Sequence, residues 1–165
     1  MMKIFLVGFM GSGKTTIGKC LANELDYDFI DTDRFIEMKH GLTVAEIFAR
    51  HGEEYFRCLE HQMLIDLQQC ERAVIATGGG MPCYYDNMSS MLAAGKVVYL
   101  KTPPQILAQR LILSKNERPL IKGKTEKELI HYISEKLSER ETDYNRANIT
   151  VLTENLSINE ILRAF

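Results

Sequence analysis

Gly8-Phe9-Met10-Gly11-Ser12-Gly13-Lys14-Thr15 is the stretch on which the fold turns. It satisfies G-x-x-x-x-G-K-[ST] in full, and the pattern has a mechanism. Glycines let backbone amides curl round an anion with no Cβ in the way. A helix that starts at the lysine aims its positive end at the same point. Lys14 then reaches the β- and γ-phosphates of a nucleotide, and Thr15 offers a hydroxyl to Mg²⁺. The flanks agree with this reading. Lys3–Val7 is a short apolar run suited to a strand, and from Lys14 apolar residues recur at Ile17, Leu21 and Leu25, which is helical spacing. A chance match in 165 residues has odds of roughly one in 200 before the flanks are counted. The loop is therefore read as a nucleoside triphosphate site.

Downstream, short apolar runs alternate with amphipathic helices. Tyr27–Ile30 reads as a second strand, ended by Asp31-Thr32-Asp33, and Arg34–Lys39 as a helix stopped near Gly41. Thr43, with Glu46 three residues on, forms a capping box for a helix running towards Gly52. Glu53–Cys70 is the longest helical pattern, with Phe56, Leu59, Met63 and Leu67 on one stripe. Ala73–Ala76 is a third strand, ended by Thr77 and three glycines. Lys96–Leu100 is a fourth, and Pro103-Pro104 suits the first turn of a helix through Leu111. Glu126–Tyr144 is helical, Asn148–Leu152 is a fifth strand, and Ser157 caps a last helix through Leu162. This order predicts a single α/β domain over residues 1–165, a five-stranded parallel sheet sandwiched between helical layers. Sites in such sheets gather at the carboxyl ends of strands. Gly8, Asp31 and Thr77–Gly80 each follow a strand directly.

Composition narrows the class. With 45% hydrophobic and 25% charged residues the chain has the makings of a packed core. A formal net charge of -2 lacks the basic surplus of a nucleic-acid binder. No apolar run reaches the ~18 residues needed to span a bilayer, and the N-terminus lacks the features of a signal peptide. The four cysteines are far apart, with no zinc spacing, as expected of reduced thiols in a cytoplasmic protein. The expected partners are small molecules of a monomeric chain, with no nucleic acid and no membrane. A GTPase would carry Asn-Lys-x-Asp and Asp-x-x-Gly, and neither occurs. A motor ATPase would end an apolar strand beside the phosphate loop in an acid, whereas Val97–Leu100 ends in Lys101 and Val74–Ala76 leads into glycines. A small phosphotransferase is what remains.

Such an enzyme needs an acceptor site, and four features offer one. Asp31 and Asp33 stand two residues apart, so an extended chain would point both carboxylates the same way. The alternative is that Asp33 caps the next helix. Arg57 and Glu60 are three apart and neighbours on a helix, the alternative being a solvated ion pair of little energetic weight. Gly78-Gly79-Gly80 carries a large entropy cost unless backbone must approach a ligand, and a plain loop is the alternative. Ser114–Lys124 is polar and includes Lys115, Arg118, Lys122 and Lys124. It is either a solvated loop or a mobile lid, about 113–125, that excludes water and neutralises developing charge.

Together these residues resemble shikimate kinase, within the nucleoside monophosphate kinase-like group of P-loop proteins. The resemblance runs almost the whole chain: Gly8–Thr16, Asp31-Thr32-Asp33, Val44–Phe48, Phe56-Arg57-x-x-Glu60, Thr77–Gly80, Arg118-Pro119-Leu120, and Arg140 with Tyr144. It implies transfer of the ATP γ-phosphate to the 3-hydroxyl of shikimate, with Mg²⁺ held by Thr15 and, through water, by Asp31. It implies that Gly11, Ser12, Gly13, Lys14, Thr15, Thr16, Arg110 and Arg118 bind ATP. The acceptor region, about 31–62 with later contributions, would use Asp33 for the hydroxyls and their proton. Arg57 and Arg140 would take the carboxylate, Gly78–Gly80 would bind the substrate with the amide of Gly79 or Gly80 on a ring hydroxyl, Glu60 would orient Arg57 and touch the substrate shell, and Phe48 and Phe56 would wall the ring. Lys14 and Arg118 would stabilise the transferring group. Two stretches depart from the family's usual pattern: Thr142 replaces a proline two residues after Arg140, and Leu152-Thr153-Glu154-Asn155 lacks the usual Asp.

Overall fold

The computed structural model describes residues 2–114, 123–154 and 156–164, and only the backbone of Gln68. Most of the expected lid, including Arg118, lies outside the described residues. Strands β1 (Lys3–Val7), β2 (Asp28–Asp31), β3 (Ala73–Ala76), β4 (Gly95–Lys101) and β5 (Ile149–Leu152) form one parallel sheet in the order β2-β3-β1-β4-β5. All five residues of β1 are buried, as a central parallel strand requires.

The period-two alternation of β1 assigns its side chains to two cores. Phe5 and Val7 join Ile75, Val97 and Tyr99 on one face, covered by α3 (Val44–Asp66), α4 (Asn87–Ala94), α5 (Pro104–Leu113) and α6 (Glu126–Tyr144). Ile4 and Leu6 join Val74, Val98 and Leu100 on the other, covered by α1 (Lys14–Leu25) and α7 (Ile158–Leu162). The expected stripe Phe56, Leu59, Met63 and Leu67 lines the first core. Truncating a fully buried member of either, such as Ile75 to Ala, should cost about 2–5 kcal/mol. Gly18 sets the approach of α1 to the sheet, because a Cβ there would stand 2.6 Å from the Phe29 ring.

Helix α2 (Thr32–His40) starts two residues before the expected Arg34. The Asp31 side chain accepts the Arg34 amide at 3.3 Å, so Asp31, not Asp33, is the cap. Helix α3 is broken at Gly52, whose φ of 82° and ψ of 173° suit only glycine readily. The two helices expected on either side of that glycine are thus present, with the Thr43–Glu46 capping box at the start. Helix α4 had no counterpart in the sequence reading. At eight residues it is too short to display a period, although Met88 and Met91 are both buried. Among the described residues no helix is long and apolar enough to cross a membrane.

Candidate active site

The phosphate loop is shaped by its main chain. Gly8, Gly11 and Gly13 hold φ of 144°, 82° and 97°, which wraps the loop round the start of α1. A Cβ at Gly8 would also lie 2.9 Å from the Leu100 carbonyl oxygen on β4. Lys14 is buried, and its Nζ donates to the Gly8 and Phe9 carbonyls at 2.7 and 2.9 Å, across the mouth of the loop. Thr15 donates its hydroxyl to Oδ2 of Asp31 at 2.8 Å, joining the loop to the end of β2. Thr16 is exposed on the first turn of α1. Arg110 reaches over from α5, donating to the carbonyls of Gly11 and Ser12 at 3.3 and 3.4 Å and of Thr153 at 3.5 Å. Thr153 itself meets Thr102 through their hydroxyls at 2.7 Å, so the turn after β5 is anchored without the family's usual Asp.

Beside the phosphate loop stand charged side chains from three elements, and the three glycines after β3 mark where they meet. A Cβ at Gly78 would stand 2.5 Å from Oε1 of Glu60 and 2.8 Å from Oδ1 of Asp33. At Gly80 it would stand 2.6 Å from Nη2 of Arg57, and at Gly79 it would touch the Met10 amide at 3.4 Å and Nη1 of Arg140 at 3.7 Å. Asp33, Arg57, Glu60 and Arg140 therefore crowd one short loop beside the phosphate loop. Gly78 spends its amide on Thr32, whose hydroxyl accepts it at 2.8 Å. Its contribution is the missing side chain.

One sequence expectation changes here, and one alternative reading falls. Asp31 and Asp33 do not point the same way: the helix begins between them, so Asp31 turns to Thr15 and Asp33 to the Gly78 side. The Arg57–Glu60 pair is no solvated bridge, with the Arg57 side chain 9% and that of Glu60 0% exposed and Nη1 donating to Oε2 at 2.8 Å. Desolvating such a pair is costly, so its retention speaks for a task rather than for stability. Burial pushes the Glu60 carboxyl up to about 7, against the pull of Arg57. Burial works to lower Arg57, but Glu60 and Glu53 outweigh it and hold the guanidinium charged. Oε1 of Glu60 and Oγ of Ser12 are buried without a hydrogen-bond partner among the described residues, one on each side of the site. Native interiors rarely leave such groups unless something else binds them.

Phe48 and Phe56 pack ring to ring at 4.9 Å, with the Arg57 guanidinium 5.9 and 5.6 Å from their centroids. Helix α6 carries Arg140 in straight through Thr142. Arg140 lies 5.5 Å over the Phe9 ring, and buried Tyr144 donates to the Gly79 carbonyl at 2.5 Å. Thr142 keeps the backbone N–H that a proline inside the helix would lack, while Asp143 ion-pairs with Arg146 at 3.6 Å. Sequence reasoning passed over Thr32, Phe9, Glu53 and Tyr84. Glu53 was legible as an i,i+4 partner of Arg57, but nothing local announces the long-range contacts of the other three.

A parallel sheet with a phosphate loop at its centre, no base-reading motif and a side-chain cradle facing that loop defines a P-loop small-molecule kinase of the nucleoside monophosphate kinase type. The comparisons narrow this further. The family model for shikimate kinase matches residues 10–165. A shikimate kinase of Azobacteroides pseudotrichonymphae is 45% identical, over 98% of this chain and 96% of its own. The solved shikimate kinase of Bacteroides thetaiotaomicron superposes with a TM-score of 0.92 at 41% identity, over 98% of this chain and 94% of that one. That of Acinetobacter baumannii, in complex with shikimate, gives 0.86 at 35% identity, over 99% and 89%. This chain belongs to the shikimate kinase family.

Proposed function

We propose that this chain transfers the γ-phosphoryl group of ATP to the 3-hydroxyl of shikimate, and that the residues around Gly78–Gly80 are its acceptor site. The observation that carries the reading is the convergence of two carboxylates and two guanidinium groups on one glycine loop beside Lys14. A hydroxylated carboxylic acid matches that charge pattern. Arg57 and Arg140 would hold its carboxylate, and an amide of Gly79 or Gly80 a ring hydroxyl. Phe48 and Phe56 would wall the ring, and Glu60 would fix Arg57. Asp33 would accept the proton as the hydroxyl oxygen attacks the γ-phosphorus and the bridging oxygen leaves with ADP. Lys14 would neutralise charge on the phosphates, helped by Arg118, which lies outside the described residues. Arg110 would lie along the nucleotide base.

Thr15 and Asp31 place two hard oxygen donors together at the mouth of the loop. That donor set suits Mg²⁺, which takes few protein ligands beside phosphate oxygens. Thr15 would hold the ion directly and Asp31 through water. When bound, Mg²⁺ supplies neutralising charge to the β- and γ-phosphates.

Coupled ADP release with purified protein, ATP and shikimate tests the reading, with gluconate and AMP as rival acceptors. Turnover with shikimate alone is expected. Turnover with a rival and none with shikimate would keep the class and reject the acceptor.

A further inference from the structure

Arg57 is held from a side that its role towards the acceptor does not explain. Oε1 of Glu53, one turn earlier on α3, accepts from both Nε and Nη2 of Arg57, at 3.2 and 2.9 Å. The same oxygen accepts the phenol hydroxyl of Tyr84 at 2.9 Å. Tyr84 follows the 3₁₀ turn Met81–Cys83 after the glycine loop, and its ring centroid lies 4.2 Å from Cζ of Arg57. Tyr84 thus covers the guanidinium with its face and ties down the carboxylate that grips it. A cleft of about 360 Å³ lies along this bracket, lined by Glu53, Glu54, Arg57, Tyr84 and Tyr85.

Of the five N–H groups of a guanidinium, Glu53 takes two and Glu60 one. One N–H on each terminal nitrogen is taken by neither carboxylate, and a substrate carboxylate could accept them. We propose that Tyr84 and Glu53 are positioning residues that orient Arg57 so that this remaining pair faces the acceptor's carboxylate; the proposal rests on the acceptor reading given above. Two effects compete at Glu53, since its charge also repels a substrate carboxylate. Its side chain is 52% exposed, so water screens the repulsion, while the hydrogen bonds to Arg57 act at contact. Orientation therefore prevails.

The test compares shikimate with its uncharged carboxamide, using the full chain with ATP and Mg²⁺. In the wild type, the ratio of kcat/KM for the two acceptors reports the carboxylate clamp itself, and a ratio near one would reject the acceptor reading. With the ratio well above one, Tyr84→Leu should lower it about tenfold through the KM for shikimate, leaving the KM for ATP and the carboxamide rate alone. Glu53→Gln should lower it by about three- to tenfold, and Tyr84→Phe, which keeps the ring and loses the hydroxyl, by about threefold. The proposal is overturned if Tyr84→Phe and Glu53→Gln leave the ratio unchanged, if both acceptors suffer equally, or if Glu53→Gln raises it. Tyr84→Phe keeps the test decisive should the leucine variant fail to fold.

Discussion

Between Gly8 and Thr15, eight consecutive residues form the proposed donor half of the site largely from backbone, whereas the proposed acceptor half draws Asp33 from α2, Arg57 and Glu60 from α3, the glycines from the loop after β3 and Arg140 from α6. The two halves lie side by side, yet they differ in how they can fail. The donor loop depends on three positive-φ glycines and a helix start, all within its own sequence. The acceptor cradle depends on tertiary packing, because its charged groups stay in place only while the helices that carry them do. It also holds the buried carboxyl whose protonation burial has shifted.

The largest effect expected is on the donor side. Lys14→Ala should lower kcat by about 10³-fold or more, since a group that neutralises charge in a transferring phosphoryl cannot be replaced by water. A coupled assay checks this, and near-normal turnover would remove Lys14 from the chemistry. Next comes Asp33→Asn, which should cost about 10²- to 10⁴-fold in kcat, the range of a lost general base, with ATP affinity unchanged. If ATP binding weakens as much as turnover, the two halves are not separable as described.

Gly78→Ala sharpens the comparison differently. The new methyl would displace the carboxylates of Glu60 and Asp33, which would lie 2.5 and 2.8 Å from it. A misplacement of that size should cost about 100-fold in kcat/KM for the acceptor, with ATP affinity again unchanged by calorimetry. Normal acceptor kinetics in Gly78→Ala would show that this loop is spacious rather than a cradle.

The smallest effect is on stability. Burial lifts the Glu60 carboxyl from 4.5 to about 7. Between those values the folded protein holds a proton that the unfolded chain has released. Stability from this group is therefore full below the unfolded value and is lost as pH rises through the folded one. Relative to Glu60→Gln, the wild type should lose about 5 °C in melting temperature between roughly pH 5 and pH 8. Parallel melting curves for the two proteins would place the proton elsewhere.

The Thr43–Glu46 capping box, the strand Lys3–Val7 and the stripe Phe56–Met63 were legible because each is set by neighbours within a turn or two of chain. Helix α4 was not, being shorter than the pattern needed to detect it. The divergence of Asp31 and Asp33 was also hidden. It follows from a helix starting at Thr32, and that start is reinforced by the Gly78 amide reaching Thr32 from β3. The burial of Arg57 and Glu60 could not be read from a spacing of three, which fits an exposed pair equally well. Their identity as a site came from resemblance, not from local physics.

By itself the sequence determined the parts of this protein whose geometry is local: where the backbone must turn through glycine, where the capping boxes start helices, which faces are apolar, and so the parallel sheet with its phosphate loop. Tertiary structure decided which side chains share a space. It set Gly79 between Met10 and Arg140, put Tyr84 over Arg57, and turned one carboxylate of Asp31-Thr32-Asp33 to Thr15 and the other to Gly78. The reason is physical. A backbone cradle is specified by φ and ψ preferences that each residue carries with it, whereas a side-chain cradle exists only after remote elements have packed.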